Sequence, residues 1–503
     1  MKVQSVFGKA VALALFSVPL ASCGQSASGE DSSAAAPALN SSDPQVKAFY
    51  AALGGQVAWD KKAEKALIDM IDGAPTHGLR RDLFLKGDLP KDDSEREALL
   101  TSAAIRYAQA LAHGYTDPGK LERKYTVPRP KADVAKGLAQ AVQSGDLASY
   151  FESLAPQTED YRALSSEFVR LFKLSEARGT TPPIPAGKAI KPGQGDPRLP
   201  AIASVLAASG YGEAQQAPAQ RYSPQMVAAV KRLQSDAGLK PDGIIGAGTI
   251  AAMSQDPGDK ARKIAVNMER LRWLDREPPA TRIDVNTAAA FLEYYRDGSR
   301  RDRRNVVVGK PDWKTPELGS PIVQLVANPF WRVPDSIVKD EISKKSPAYL
   351  AEQGIEMRDG RMVQLPGPKN SLGEVKFDMK NDQAIYLHDT PAKALFTAPE
   401  RHRSHGCVRV HNAVDFAMLL ASDDGVLDQF QTKLMESDEE GFVKLKKEVP
   451  VRLMYHTAFY DGGQVKLIDD IYDWDGIIAY GLGYVRQPPR VRGDTDFGND
   501  VGP

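Results

Sequence analysis

Cysteine is almost absent from this chain, with two among 503 residues, at positions 23 and 407. Two cysteines cannot build a disulfide framework, so the fold has to rest on apolar cores. Net charge is absent as well, with 65 basic and 65 acidic residues, which removes any global electrostatic case for nucleic acid as a partner. Beyond the N-terminus no run is apolar and long enough to cross a bilayer. What remains is the composition of a soluble globular protein, 42% hydrophobic and 26% charged. At this length about three or four domains are expected.

The N-terminus predicts export. Lys2 and Lys9 precede an apolar run over residues 10–20 that is short for a membrane span, which is the layout of a secretory signal. Residues 1–22 are expected to be removed. The run ends in Leu20-Ala21-Ser22-Cys23, which resembles the bacterial lipobox; the resemblance implies lipidation at Cys23, against the plainer alternative of cleavage after small residues. Gly24 after that cysteine resembles lipoproteins sent to the outer membrane. The expected location is therefore periplasmic, with a lipid anchor. Residues 23–44 are small and polar and read as a flexible tether.

Residues 45–178 carry apolar positions at three- and four-residue spacing, as in "REALLTSAAIRYAQALAHG", and predict an all-helical scaffold. His77 and His113 near glycines there read as helix-terminal residues rather than catalysts. Residues 179–195 form a Pro/Gly linker, followed by a compact unit over 196–255. Ser223 before Pro224 reads as an N-cap, and Val227, Val230 and Leu233 share one helix face. Leu233-Gln234, Gly238-Leu239 and Asp242-Gly243-Ile244-Ile245-Gly246 resemble the pattern of the three-helix peptidoglycan-binding type 1 module. A helical spacer that keeps that fold without binding is the alternative. A linking helix is expected over 256–280. The period then changes to β-branched and alternating segments, with a hairpin signal at Asp461-Gly462-Gly463 inside 457–486 and a disordered tail over 487–503.

Four of the seven histidines fall between positions 388 and 411, around "RHRSHGCVRVHN", residues 401–412. Metal binding by His402, His405, Cys407 and His411 is opposed by the lack of a second nearby cysteine and of C-x-x-C or H-E-x-x-H spacing. A buried structural cysteine is a second reading. Against it, Cys407 follows a glycine and sits among Arg401, Arg403 and Arg409, an electropositive setting expected to favour thiolate. The third reading is a cysteine nucleophile with a histidine base.

"YLHDTPAKALFTAPERHRSHGCVRV" resembles the active-site signature of the L,D-transpeptidase (YkuD-type) catalytic domain: a histidine, then at a set distance Ser/Thr-His-Gly-Cys, then Arg. Here these are His388, Ser404, His405, Gly406, Cys407 and Arg409, with 407 minus 388, or 19 residues, between base and thiol. "NMERLRWL", "VVVGKPDWKTPEL", "NPFWRVPDSIVKDEI", "GPKNSLGEVKF" and "DDIYDWD" also resemble the large periplasmic branch of that family. The resemblance implies an α+β multidomain protein, with a mainly-β catalytic domain over 281–456 and a capping subdomain at about 332–385. By it, Cys407 is the nucleophile, His388 the general base and the Asp389 backbone carbonyl the group that orients His388. His405 and Gly406 would frame the oxyanion with Cys407. Ser404 and Arg409 would support the pocket, and Asn370 and Gly373 would lie near the substrate path, with turn chemistry as their alternative. His402 and His411 fall outside the signature and read as surface residues. No metal or organic cofactor is expected.

The implied function is the 3→3 cross-linking of peptidoglycan through a cysteine acyl-enzyme, with a tetrapeptide donor and a stem side-chain amine acceptor. The expected partners are peptidoglycan stems and glycan, the membrane through the lipid anchor, and other cell-wall enzymes. The same chemistry with water or a protein lysine as acceptor, and a catalytically dead wall-binding lipoprotein, are the alternatives.

Overall fold

The computed structural model describes residues 41–121, 124–178, 184–185, 187–212, 221–237, 239–254 and 256–487. The signal peptide, Cys23, most of the tether and the tail from residue 488 lie outside the described residues.

The described residues open with six α-helices: α1 (Pro44–Ala52), α2 (Lys61–Asp72), α3 (Asp93–His113), α4 (Val134–Ser144), α5 (Leu147–Leu154) and α6 (Glu159–Arg178). The sequence marks several starts with aspartate. Asp60, Asp92 and Asp133 each accept a hydrogen bond from a backbone N–H one turn on, meeting donors that the helix leaves open. A second unit holds α7 (Leu199–Ala208), α8 (Pro224–Asp236) and α9 (Ala247–Ser254). Ser223 caps α8 with Pro224 in the first turn, as read from the sequence. The Gln234 amide is buried, donates to Asp242, to the Ile244 carbonyl and to Thr249, and accepts from the Gly243 N–H at 2.8 Å. In this unit the Gln…Asp-Gly pattern staples the fold. Ile184 and Ile190, inside the expected linker, pack into the same core, so that stretch is partly structural.

Helix α10 (Pro257–Trp273) then runs between the units. Ile264, Ala265, Met268 and Trp273 join the scaffold core. Charged residues of its second half are buried too: Glu269 and Arg272 pair at 2.6 Å with no side-chain exposure. Glu269 also accepts from the Thr116 hydroxyl, while Arg272 donates to the His77 carbonyl and the Tyr161 hydroxyl. The second half of the expected linking helix is therefore buried on several faces.

The C-terminal half is built on β1 (Arg282–Asn286), β2 (Phe291–Arg296), β3 (Ser299–Gly309) and β4 (Leu318–Ala327). A small unit follows, of β5 (Trp331–Arg332), α11 (Asp335–Asp340), α12 (Pro347–Glu352), β6 (Ile355–Arg358) and β7 (Arg361–Gln364). The chain returns through β8 (Val375–Met379), β9 (Leu387–His388), β10 (His402–Ser404) and β11 (Val408–Val410), then α13 (Ala413–Asp424), α14 (Leu427–Met435) and β12 (Gly441–Met454). The large sheet has the order β10-β3-β11-β9-β8-β4-β12-β1-β2, and β3 also pairs with β2, which joins the two ends of that order. Its inner face packs on α13 and α14 through Phe377, Leu387, Val408, Phe416 and Leu420. The fold is the expected α+β multidomain one, with a helical N-terminal region and a mainly-β C-terminal domain.

The cap carries its own three-stranded sheet, β5-β7-β6, and a core of Trp331, Val333, Ile337, Ile342, Ile355 and Leu372. The expected span of about 332–385 also takes in Val375–Met379. That stretch is β8 of the large sheet, because Val375 and Phe377 belong to the sheet's core. Near the C-terminus β13 (Ala458–Asp461) and β14 (Gln464–Leu467) turn at Gly462 and Gly463, both at positive φ. An unexpected helix, α15 (Asp475–Gly481), follows and returns Ile478 and Leu482 to the scaffold core.

Glu269→Ala leaves the Arg272 guanidinium buried without its counter-charge and is expected to cost about 3–5 kcal/mol of stability. The urea midpoint measures it. The exposed Lys65–Asp69 pair serves as the control, and Lys65→Ala should leave the midpoint in place.

Candidate active site

Register builds the site. Parallel pairing of β9 with β11 sets Arg409 opposite His388, and antiparallel pairing of β8 with β9 sets Lys376 opposite the same histidine. Side chains alternate along a strand, so Val375, Phe377, Leu387, Val408 and Val410 face the core while Lys376, Tyr386, His388, Cys407 and Arg409 share the other face. The Val408 N–H donates to the Tyr386 carbonyl at 3.1 Å, which sets Cys407 beside Tyr386. Both the hydroxyl and the N–H of Tyr386 reach the thiol, and Cys407 Sγ lies 3.7 Å from the Ala384 carbonyl oxygen. Tyr386 stands two residues before His388 inside the quoted signature. Period-two reading of that strand would have found it.

His388 is fully buried. Its Nδ1 lies 2.5 Å from the Asp389 carbonyl oxygen. A carbonyl only accepts, so Nδ1 carries the proton and the neutral ring keeps its lone pair on Nε2. Nε2 is buried with no hydrogen-bond partner. Burial first, then the charges of Arg409 and Lys376, hold the histidine well below its ordinary value, with the Asp389 bond opposing. Gly373, at φ +61°, packs on Asp389 so closely that a Cβ would run into the carboxylate. Asp389 is also fixed by Lys393 and by the Glu374 N–H. Gly373 therefore acts on the site through Asp389.

The thiol departs from the sequence-based expectation. Cys407 has no exposure, and burial pushes its pKa up to about 12 against the Tyr386 N–H, Lys376, the Tyr386 hydroxyl and Arg409. Arg401 is spent on the Ala398, Ala289 and Ala290 carbonyls and Arg403 on the Glu400 carbonyl. The electropositive cluster of the sequence thus reduces to Arg409 and Lys376 at the thiol. Desolvation outweighs them, and one sheet face holds a neutral thiol and a neutral imidazole.

Ser404 Oγ donates to the Cys407 carbonyl at 2.6 Å and accepts from the Gly406 N–H at 3.2 Å. It shapes the turn. Gly406 sits at φ +117°, a conformation that glycine permits. Its carbonyl accepts from Thr315 Oγ1 at 2.8 Å, Thr315 accepts from the Gly309 N–H, and the Tyr472 hydroxyl donates to the Gly309 carbonyl at 2.6 Å. The "VVVGKPDWKTPEL" and "DDIYDWD" stretches therefore brace the Cys407 turn from behind. His405 points to the cap, with Nε2 2.9 Å from Glu341 Oε1, and its ring meets Trp313 edge to face at 5.0 Å.

Three expectations change. Asn370 is buried, donates to the Pro329 and Leu365 carbonyls and accepts from the Leu372 N–H, so it holds the turn between cap and sheet rather than substrate. His402 is no surface residue: its side chain is 6% exposed and bridges Glu400 and the Thr287 carbonyl. His411 is half-buried and packs on Phe396 at 5.0 Å. Among the described residues no three His, Cys, Asp or Glu side chains are grouped as metal ligands would be.

A neutral buried thiol titrates late. Alkylation of the Cys407 peptide in the free protein, followed by mass spectrometry, should keep rising through the ordinary cysteine range near 8.5 toward pH about 12. A plateau below pH 9 would mean that the site already holds a thiolate.

Comparison with known proteins places this geometry. Residues 44–167 match the family described as "Scaffold domain", residues 197–253 "Putative peptidoglycan binding domain", and residues 280–424, which hold His388 and Cys407, "L,D-transpeptidase catalytic domain". A curated relative, "Putative L,D-transpeptidase" of Haemophilus influenzae, is 29% identical over 237 residues, 42% of this chain and 48% of the relative. The chain thus spans about half the length of the curated relative it matches. Among solved structures, an L,D-transpeptidase of Xylanimonas cellulosilytica shares 17% identity over 54% of this chain and 98% of its own, with a TM-score of 0.18. One of Stackebrandtia nassauensis shares 16% over 55% and 97%, with a TM-score of 0.17. Overlays this poor carry no argument. The matched segments do: residues 280–424 form an L,D-transpeptidase catalytic domain of the YkuD type, carried behind a scaffold domain and a peptidoglycan-binding domain.

Proposed function

We propose that this protein cross-links peptidoglycan by a cysteine acyl-enzyme route, joining stems 3→3. The observation that carries the reading is the His388 ring, its Nδ1 fixed by a carbonyl and its Nε2 bare and buried on the sheet face that holds Cys407. A base with a free lone pair beside a neutral thiol suits proton removal in step with attack.

His388 Nε2 takes the thiol proton as Sγ bonds to the carbonyl carbon of the third residue of a tetrapeptide stem. The C–N bond to the terminal D-alanine breaks, and the departing amine takes that proton from His388. A neighbouring stem's side-chain amine then attacks the thioester, a C–N bond forms, the C–Sγ bond breaks, and the proton that the amine loses returns through His388 to the sulfur. The oxyanion would be met by backbone N–H groups of the His405-Gly406-Cys407 turn. The Gly406 N–H now bonds Ser404 Oγ, so it would have to exchange partners. Tyr386, whose hydroxyl reaches the thiol, steadies the sulfur, and Arg409 suits a substrate carboxylate. No step calls for a metal or organic cofactor.

The lipobox-like stretch ending at Cys23 supports a periplasmic enzyme tethered to the outer membrane, and the peptidoglycan-binding domain supports a wall-facing position. Water or a protein lysine as acceptor would give a peptidase or an attachment enzyme by the same first half-reaction. The products separate these.

Incubated with disaccharide-tetrapeptide, the full-length protein should yield 3→3 dimers by mass spectrometry, and Cys407→Ala should yield none; dimers from the alanine variant would sink the mechanism. Cys23→Ser should move the protein from the membrane to the soluble fraction on cell fractionation, and unchanged membrane association would refute the anchor.

A further inference from the structure

The geometry points to Glu341, carried by the cap, as the group that holds the ammonium of the acceptor and selects an amine bearing a carboxylate on the same carbon. This rests on the acyl-enzyme reading above and specifies its second substrate.

The floor of the site is cationic. Lys376 and Arg409 flank His388 on the two neighbouring strands, and both act on the thiol. Lys310 Nζ adds a third positive group 3.2 Å from His405 Nε2. Lys376 is paired with Asp378, so Arg409 and Lys310 leave the floor net positive, which suits a carboxylate and repels an amine, protonated in water at neutral pH. Like charges in contact oppose each other more strongly at a protein surface than in bulk water, because the effective dielectric is lower. An amine acceptor therefore needs a counter-charge on the approach side.

Glu341 supplies one. It follows α11 and precedes a short turn, Ile342–Lys344, and the flanking Ile337 and Ile342 are buried in the cap core, so its backbone is fixed. Its Oε1 lies 2.9 Å from the imidazole of His405, two residues before Cys407, and its charge reaches Arg409. The side chain is 48% exposed, so it can still take up a ligand. Two nearby carboxylates are committed, Asp378 to Lys376 and Gln324, and Asp389 to Lys393 and the Glu374 N–H. With the acceptor carboxylate on Arg409 and its ammonium on Glu341, the zwitterion spans the gap between floor and cap. The ammonium releases one proton to water; the resulting amine forms its C–N bond as C–Sγ breaks, and its second proton passes to the sulfur.

The test uses the full chain with a tetrapeptide donor and two competing nucleophiles at pH 7: a stem whose side-chain amine carries a neighbouring carboxylate, and hydroxylamine, which is uncharged there. The ratio of the two products by mass spectrometry is the readout, independent of overall rate. Glu341→Gln should lower that ratio about tenfold, and Glu341→Asp should restore most of it. If Glu341 only latches the cap through His405, both products change together and the ratio stays, which overturns the inference. Failure of the wild type to form any Cys407 adduct overturns the acyl-enzyme reading instead, and the inference with it.

Discussion

Glu269 and Arg272 lie side by side on one helix with no solvent contact, and most of the molecule is arranged to make that tolerable. Removing two charges from water is repaid only when every remaining donor and acceptor is met. Here the partners come from elements far apart in the chain: Thr116, His77 and Tyr161 from the scaffold. One residue away, Arg270 reaches the other way, to Asp475 at 2.6 Å, and lies over the Tyr455 ring. Helix α10 thus ties the scaffold to the C-terminal segment with bonds that tolerate little misplacement.

That segment leads to the site. Asp470 accepts from the Tyr455 hydroxyl and from the Trp474 and Asp475 N–H groups, which sets the loop carrying Tyr472. Tyr472 holds the Gly309 carbonyl, and Thr315 ties Gly309 to Gly406. A polar chain therefore runs from Arg270, next to the buried ion pair along the helix, to the turn that presents Cys407. Its contribution is position more than stability, since buried ionic groups roughly repay their own desolvation. Burial has a second effect at the end of that chain. It keeps the thiol and the imidazole neutral, so in the proposed mechanism the charge separation of acyl transfer is left to the moment of reaction, when substrate supplies new partners.

The signature residues were readable in order, because the nucleophile, base and glycine turn proposed for them need particular residue types at particular spacings. Their electrostatics were not. Arg401 and Arg403 stand near Cys407 in the chain yet spend their donors on backbone carbonyls, and a count of nearby arginines could not foresee that. His402 misled for a related reason: its strand turns the ring inward between Glu400 and Thr287. Asn370 was legible as turn chemistry, and the turn is what it serves. Tyr386 was legible by strand period and passed over. Lys376 and Glu341 were not legible, since one arrives by antiparallel pairing and the other by the folding of the cap onto His405.

By itself the sequence determined the order of units, the helical and β halves, and the motif that names the catalytic domain, because these depend on local propensity, period and spacing along one chain. Tertiary structure alone decided which strands lie beside His388, which arginine stays near the thiol, how the Cys407 turn is braced from residue 472, and that the thiol rests protonated. Those outcomes depend on strand register and on how much water each group loses. Both are properties of the assembled interior, where residues distant in sequence set one another's surroundings.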